Sequence, residues 1–329
     1  MALMVEWSRS DVHSDGVRLA VFRAVADTTQ QTETTPPETR DDDGRPVVLL
    51  VHGWPDSHHL WTHVAPILAA TCDVYAYDTR GYGDSDRPRT TEDYRLDHLA
   101  RDLFAVADAV SPDHPVHVIG HDWGGIQTWE AVCTPGAERR IASYVSVSGP
   151  NLDYADVWLK AQWRPPTARG VRDYFTQQAC LLYARFFKIP RVSDALVGAA
   201  LSPRRWTRFV ARTEKVDSEQ IVLAPTFRQD ARSGLRYYRA NLSRRRRPPH
   251  ARPTSVPVLE LINTRDVALR PPLFSHTDRF ARTSERRVSH TGHWLPLAHP
   301  EQLAADALEF IHAHHPERRN RTPTSGAQQ

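Results

Sequence analysis

Residues 118–126 read Val-Ile-Gly-His-Asp-Trp-Gly-Gly-Ile, with Gly120, Asp122, Gly124 and Gly125 spaced as small-x-nucleophile-x-small-small. An apolar run feeding that spacing is the pattern of a nucleophile elbow, a sharp strand-to-helix turn that holds one side chain at its tip. The tip residue is Asp122 rather than Ser or Cys. Acyl transfer calls for an oxygen or sulfur that attacks a carbonyl and leaves again, whereas a carboxylate suits attack on a saturated carbon bearing a leaving group, forming an alkyl ester. Epoxides and alkyl halides are the substrates such chemistry implies. The competing reading is an ordinary tight turn in which Asp122 caps the following helix.

Outward from the elbow, strand and helix patterns alternate. The stretch 16–25 alternates as a strand, and 47–51 is a continuous Val/Leu run, as in a strand buried on both faces of a parallel sheet. Further strands are predicted at 74–77, 115–119, 141–147, 256–262 and 286–289, with helices around 60–70, 96–110, 126–132, 272–281 and 301–314. This rhythm predicts a parallel α/β sheet with its site beyond the carboxyl ends of the strands, where His52 and Asp122 fall. From 149 to about 253 the rhythm gives way to aromatic and Leu-rich helical stretches, read as a helical cap over 150–253. The core is then 1–149 plus 254–315. Polar, Thr- and Pro-rich 27–46 reads as a flexible insertion, and 316–329 as a disordered tail.

Length and composition bound the function. The chain has 329 residues with 40% apolar content and a net charge of +3, enough for a sizeable core. Positive charge is carried almost wholly by arginine, with lysine only at Lys160, Lys188 and Lys215, which reads as coding bias rather than a nucleic-acid surface. The run Arg244 to Arg247 before Pro248-Pro249 reads as a solvated loop. Cys72, Cys133 and Cys180 are too few and scattered for a disulfide framework or metal cluster, and read as buried thiols. With no leader pattern and no apolar run of membrane length, a cytoplasmic protein is expected. No Gly-x-Gly-x-x-Gly fingerprint is present, so no nicotinamide cofactor is expected, and the scattered cysteines imply no metal.

Four blocks carry a family resemblance: His52-Gly53-Trp54-Pro55, the loop Asp78-Thr79-Arg80-Gly81-Tyr82-Gly83-Asp84-Ser85 ending at Pro88, the elbow, and Gly292-His293-Trp294. In this order they resemble the epoxide hydrolase branch of the α/β-hydrolases. The resemblance implies a mostly parallel eight-stranded sheet flanked by helices, with the cap inserted after the sixth strand. It implies that Asp122 is the nucleophile, His293 the base that activates water and Asp266 the acid that orients His293. His290 and His299 compete with His293, Glu260 competes with Asp266, and Asp266 also fits a turn or a salt bridge to Arg265. By the same resemblance the N–H groups of Trp54 and Trp123 form an oxyanion hole worth about 3–4 kcal/mol per donor. Trp54-Pro55 is then expected to be cis, although Trp54 alone also fits a core aromatic. An epoxide's alkoxide leaves badly unless protonated, and the resemblance selects the cap residues Tyr183 and Tyr238 as donors, with Tyr174 and Tyr237 as rivals.

The expected substrate is therefore a small apolar epoxide, with water as co-substrate; oligomeric state stays open. Hydrolytic dehalogenation would use the same Asp-His-Asp set. However, dehalogenases typically carry Asn or Gln where Trp54 stands and Gln where His121 stands, and the fluoroacetate type carries Arg where Trp123 stands. A third possibility is a non-catalytic member that binds a hydrophobic molecule. The segments 111–118 and 146–150 also resemble the hydrolase half of actinobacterial proteins that join an epoxide hydrolase-like domain to a short-chain dehydrogenase. On that resemblance the chain ends where the partner domain would begin, and a lipid or polyketide epoxide would fit the apolar cap stretch 181–201.

Overall fold

The computed structural model describes residues 5–25, 44–242 and 251–316. Most of the expected 27–46 insertion, the Arg244–Pro249 run and all but the first residue of the tail lie outside the described residues. The sheet has eight strands: β1 (Glu6–Ser14), β2 (Val17–Val25), β3 (Val47–Val51), β4 (Asp73–Tyr77), β5 (Val116–His121), β6 (Ile141–Val147), β7 (Val258–Asn263) and β8 (Ser284–Ser289). Their order is β1-β2-β4-β3-β5-β6-β7-β8. Pairing is antiparallel for β1 with β2 and β2 with β4, and parallel from β4 through to β8.

Val47 to Val51 form a strand because branched and aliphatic side chains suit a ribbon buried on both faces. Along β3 the faces alternate. Val48 and Leu50 join the core layer beneath one face, while Leu49 and Val51 join the layer on the other. Each such fully buried side chain contributes roughly 1.5–3 kcal/mol. Helix α1 spans Ala65–Ala69 and α2 spans Leu96–Val110. In α2 the buried Leu96, Leu99, Ala100, Leu103, Val106 and Ala107 recur at helical spacing and face the sheet. Helix α3 (Trp123–Val132) leaves the elbow. The chain passes from β3 to β4 on one side and returns to β5 on the other, so the order reverses at β3. The crevice beyond the carboxyl ends of β3 and β5 is where such sheets bind ligands.

Between β6 and β7 the described residues are mainly helical: α4 (Leu152–Ala161), α5 (Ala168–Cys180), α6 (Leu182–Phe187), α7 (Val192–Ala200), α8 (Pro203–Glu214), α9 (Phe227–Ser233) and α10 (Leu235–Leu242). Helices α11 (Leu295–Ala298) and α12 (Pro300–His314) follow β8. The helical layer therefore enters after the sixth strand, as expected.

Several local readings need correction. Strand β1 was not expected: its edge position leaves most of its residues exposed and erases the apolar alternation that betrays a strand. The helix predicted over 272–281 is two 3-10 turns, Pro271–Phe274 and Thr277–Arg279, broken at Ser275 and His276. The helix read around 60–70 splits into a 3-10 turn at His58–Trp61 and α1, with Pro66 at the start of α1. Cys72 and Cys133 are buried, but Cys180 is half-buried.

The loop after β4 is pinned by a buried ion pair. Arg80 Nε and Nη2 each donate to Asp102 of α2 at 2.6 Å, and Nη1 donates to the carbonyl of Asp93 at 2.7 Å. Removing one partner leaves an uncompensated buried charge. Asp102→Ala is expected to lower unfolding free energy by about 3–5 kcal/mol in urea titrations; a loss below about 1 kcal/mol, the scale of a surface pair, would contradict this.

Candidate active site

Asp122 sits between β5 and α3 with φ 50° and ψ −120°, a conformation few non-glycine residues adopt. Close approach of neighbouring chain makes room for it. A Cβ on Gly124 would lie 2.1 Å from the carbonyl oxygen of Val51, and one on Gly53 would lie 2.5 Å from Asp122 Oδ2. The Asp122 side chain makes no helix-capping hydrogen bond, which removes the simple-cap reading. Instead Oδ2 accepts from the Trp54 N–H at 2.9 Å, and the adjacent Trp123 N–H also favours the ionised carboxylate.

His52 holds the turn that presents Trp54. Its Nδ1 donates to the Gly53 carbonyl at 3.0 Å, its Nε2 accepts from the Thr79 N–H at 3.1 Å, and burial keeps the ring neutral, its pKa pushed down to about 4. Trp54-Pro55 is cis. The Trp54 indole donates to the carbonyl of Ala231 on α9 at 2.9 Å, joining this turn to the helical layer.

His293 lies in the loop between β8 and α11. Its Nδ1 is 2.9 Å from Asp266 Oδ2 and its Nε2 is 3.8 Å from Asp122 Oδ1. Asp266 Oδ1 accepts from the N–H groups of Ala268 and Leu269 at 2.7 and 2.9 Å. Asp266 thus faces His293 rather than Arg265. Glu260 stays in β7, accepting from Thr277 and Arg286. His290 turns to Thr264.

Tyr183 and Tyr238 both line a cavity of about 550 Å³ that opens above Asp122. Their rings lie 6.1 Å apart, and the Tyr238 ring packs edge-on against the Trp123 ring at 5.0 Å. The other walls are largely apolar, among them Ile126, Leu159, Leu181 and Leu269. Of the rivals, Tyr237 donates to the carbonyl of Arg80 at 2.9 Å and Tyr174 packs on Trp163, both away from the cavity.

Two nearby groups, Asp56 and Glu214, escaped the sequence reading, which gave His121 no role of its own. His121 Nε2 donates to the His293 carbonyl at 3.0 Å. Buried Asp56 accepts from the Trp294 indole at 3.1 Å; burial and then the Asp122 charge, against that hydrogen bond, raise its pKa to about 7. Its only sequence signal was its place directly after Pro55. Glu214, at the end of α8, is buried with its carboxylate where a Gly292 Cβ would be, 2.1 Å from Oε2. Only long-range contact reveals it.

Electrostatics organise the group. Burial pushes Asp122 up to about 6 against the pull of His293 and the two N–H donors, which leaves it ionised at neutral pH. Burial also disfavours the His293 cation, but Asp266, then Asp122 and Glu214, outweigh it and hold the pKa at about 9. Burial opposes ionisation of Asp266 too, yet His293 and the two loop N–H groups keep it below the usual carboxylate range. Both tyrosines are raised, first by burial and also by the Asp122 charge, so their hydroxyls stay protonated donors. Among the described residues no group of three or more His, Cys, Asp or Glu side chains is arranged to hold a metal ion, and no helix is long and apolar enough to cross a membrane.

A profile of the alpha/beta hydrolase fold matches residues 46–300, most of the chain. The chain belongs to this family. Within it, the chain is similar to a protein of Mycobacterium tuberculosis named "Probable oxidoreductase EphD", 37% identical over 305 residues that cover 90% of this chain and 48% of that protein. The chain thus spans about half the length of those relatives. It is also 29% identical to "Epoxide hydrolase A" of Mycobacterium tuberculosis over 341 residues, 91% of this chain and 96% of that one. Among alpha/beta hydrolase structures, a Bacillus megaterium epoxide hydrolase in complex with an inhibitor superposes with a TM-score of 0.68 at 17% identity, covering 92% of this chain and 100% of that one. Epoxide hydrolase A from Mycobacterium thermoresistibile gives 0.67 at 22%, covering 93% and 98%. At these identities the two structures speak to the fold alone.

Folding lifts the His293 pKa from its ordinary 6.5 to about 9. The stabilisation this supplies is fully present below about 6.5 and is lost as pH rises through about 9. In an imidazole NMR titration, Asp266→Asn and Asp122→Asn should each bring the His293 pKa down, and Glu214→Gln should do so less. An unchanged value in all three would contradict this charge arrangement.

Proposed function

We propose that this protein is an epoxide hydrolase that converts an apolar epoxide to a vicinal diol through an aspartyl ester. One observation carries the reading: the Asp122 carboxylate faces two tyrosine hydroxyls across a largely apolar cavity, while the Asp266–His293 pair approaches the same carboxylate from the side. In this reading Oδ1 attacks the less hindered epoxide carbon, because Oδ2 is engaged by the Trp54 N–H. The C–O bond breaks, and Tyr183 or Tyr238 gives its proton to the departing alkoxide.

Ester formation removes the negative charge on Asp122 that helps hold the proton on His293. The imidazole pKa then falls, its proton passes to the tyrosinate left by ring opening, and the now neutral His293 takes a proton from water as that water attacks the ester carbonyl. Negative charge gathers on Oδ2, where the Trp54 and Trp123 N–H groups meet it. Collapse of this intermediate expels the diol and restores the carboxylate. We assign the helical segment between β6 and β7 the role of a cap that brings the tyrosines, and 1–149 with 254–315 the role of the hydrolase core. A halide-stabilising role suits the Trp123 indole less well, because the Tyr238 ring packs edge-on against it.

Turnover of aryl and long-chain alkyl epoxides beside matched haloalkanes and p-nitrophenyl esters tests the assignment. Diol formation that vanishes in Asp122→Ala is expected; halide or nitrophenol release without diol would overturn it. His293→Gln should accumulate a covalent adduct of substrate mass, and Asp122→Asn none; an adduct that persists without Asp122 would refute the ester. Tyr183→Phe and Tyr238→Phe should each slow ring opening by about 10–100-fold, with the double variant slower still, as read from single-turnover rates. Parental rates in both would remove the tyrosines from the chemistry.

A further inference from the structure

A second cavity, of about 640 Å³, shares no lining residue with the first. Helix α10 divides them: Tyr238 lines the catalytic cavity, while Arg236 and Arg239 line the other. Arg87 from the loop after β4, Arg191 ahead of α7 and Arg232 of α9 complete a set of five arginines, against Asp194 as the sole acidic residue in the lining.

The set is only partly neutralised. Arg239 pairs with Asp194 at 2.9 Å, and Arg87 pairs with Asp230 at 2.7 Å. The buried Arg87 Nε has no hydrogen-bond partner. Arg236 lies over the Tyr94 ring at 5.6 Å, and among the described residues Arg191, Arg232 and Arg236 form no ion pair. Several guanidinium groups lining one cavity suit an anion, because their planar forks match phosphate oxygens two at a time. The volume lies in the range of metabolite sites and exceeds what a single small ion needs.

We propose that this cavity binds a phosphate dianion or diphosphate group carried by a larger molecule, seated where the loop after β4 meets helices α7, α9 and α10. The same chemistry is offered by a phosphate ester free in solution and by a phosphomonoester lipid headgroup. Bound there, the anion would link Arg87 of the core to the helices that bear Tyr238.

Calorimetric titration of the full chain with inorganic pyrophosphate, against sulfate at matched ionic strength, tests the soluble source. Co-sedimentation with phosphatidylcholine vesicles, with and without phosphatidic acid, tests the lipid source. The proposal expects saturable binding in one arm that weakens at least about tenfold in Arg191→Glu and in Arg232→Glu, the scale of one lost charge-assisted hydrogen bond. Both residues are exposed, and unchanged melting of the unliganded variants checks their folding. Pyrophosphate binding names a soluble ligand, and binding confined to phosphatidic acid vesicles names a headgroup. No binding in either arm, binding no better than sulfate, or equal binding in both variants overturns it.

Discussion

The geometry of the candidate site depends on Asp122 keeping a backbone conformation that its own side chain disfavours. At φ 50° and ψ −120° the cost is on the order of 1–3 kcal/mol, and the surrounding sheet holds it. Its N–H donates to Val147 of β6 at 3.1 Å, its carbonyl accepts from Ile126 of α3 at 2.9 Å, and Gly124 packs directly on the backbone of β3. Were the elbow to relax, the carboxylate would leave the Trp54 N–H and His293 together. The order reversal at β3 matters for the same reason, because it brings the ends of β3 and β5 side by side.

Charge, more than contact, sets what the site can do. One imidazole is surrounded by Asp122, Asp266, Asp56 and Glu214, and the carboxylates differ in state because their surroundings differ. Asp266 accepts two backbone N–H groups and one imidazole N–H, and stays ionised. Asp56 has the Trp294 indole and a value near 7. Burial raises Glu214, whose carboxylate lies against the backbone at Gly292. In the proposed mechanism, esterification of Asp122 would remove one negative charge from this group and so loosen the hold on the His293 proton.

What the sequence disclosed follows from where its information is local. The strand at Val47–Val51 and helix Leu96–Val110 were legible to the residue, because unbroken apolar runs and helical spacing of buried positions leave little choice. Strand β1 was not legible, since an exposed edge needs no apolar pattern. The elbow could be read because tight packing demands glycine at fixed spacing around one polar tip. Tyr183 and Tyr238 could be picked out only by resemblance; in isolation they are indistinguishable from Tyr174 and Tyr237, and only the fold shows which pair meets the cavity. Glu214 and the arginine cavity could not be read at all, as each joins segments far apart in the chain.

The central claim is that an oxygen of Asp122 enters the product. The most direct test is a single turnover of an epoxide in heavy-oxygen water with enzyme in excess, followed by mass analysis of the diol and of the peptide containing Asp122. The account predicts an unlabelled diol oxygen from the enzyme and heavy oxygen in the Asp122 carboxylate. Heavy oxygen in the diol alone, with an unlabelled Asp122 peptide, would mean that water opens the ring directly and would contradict it.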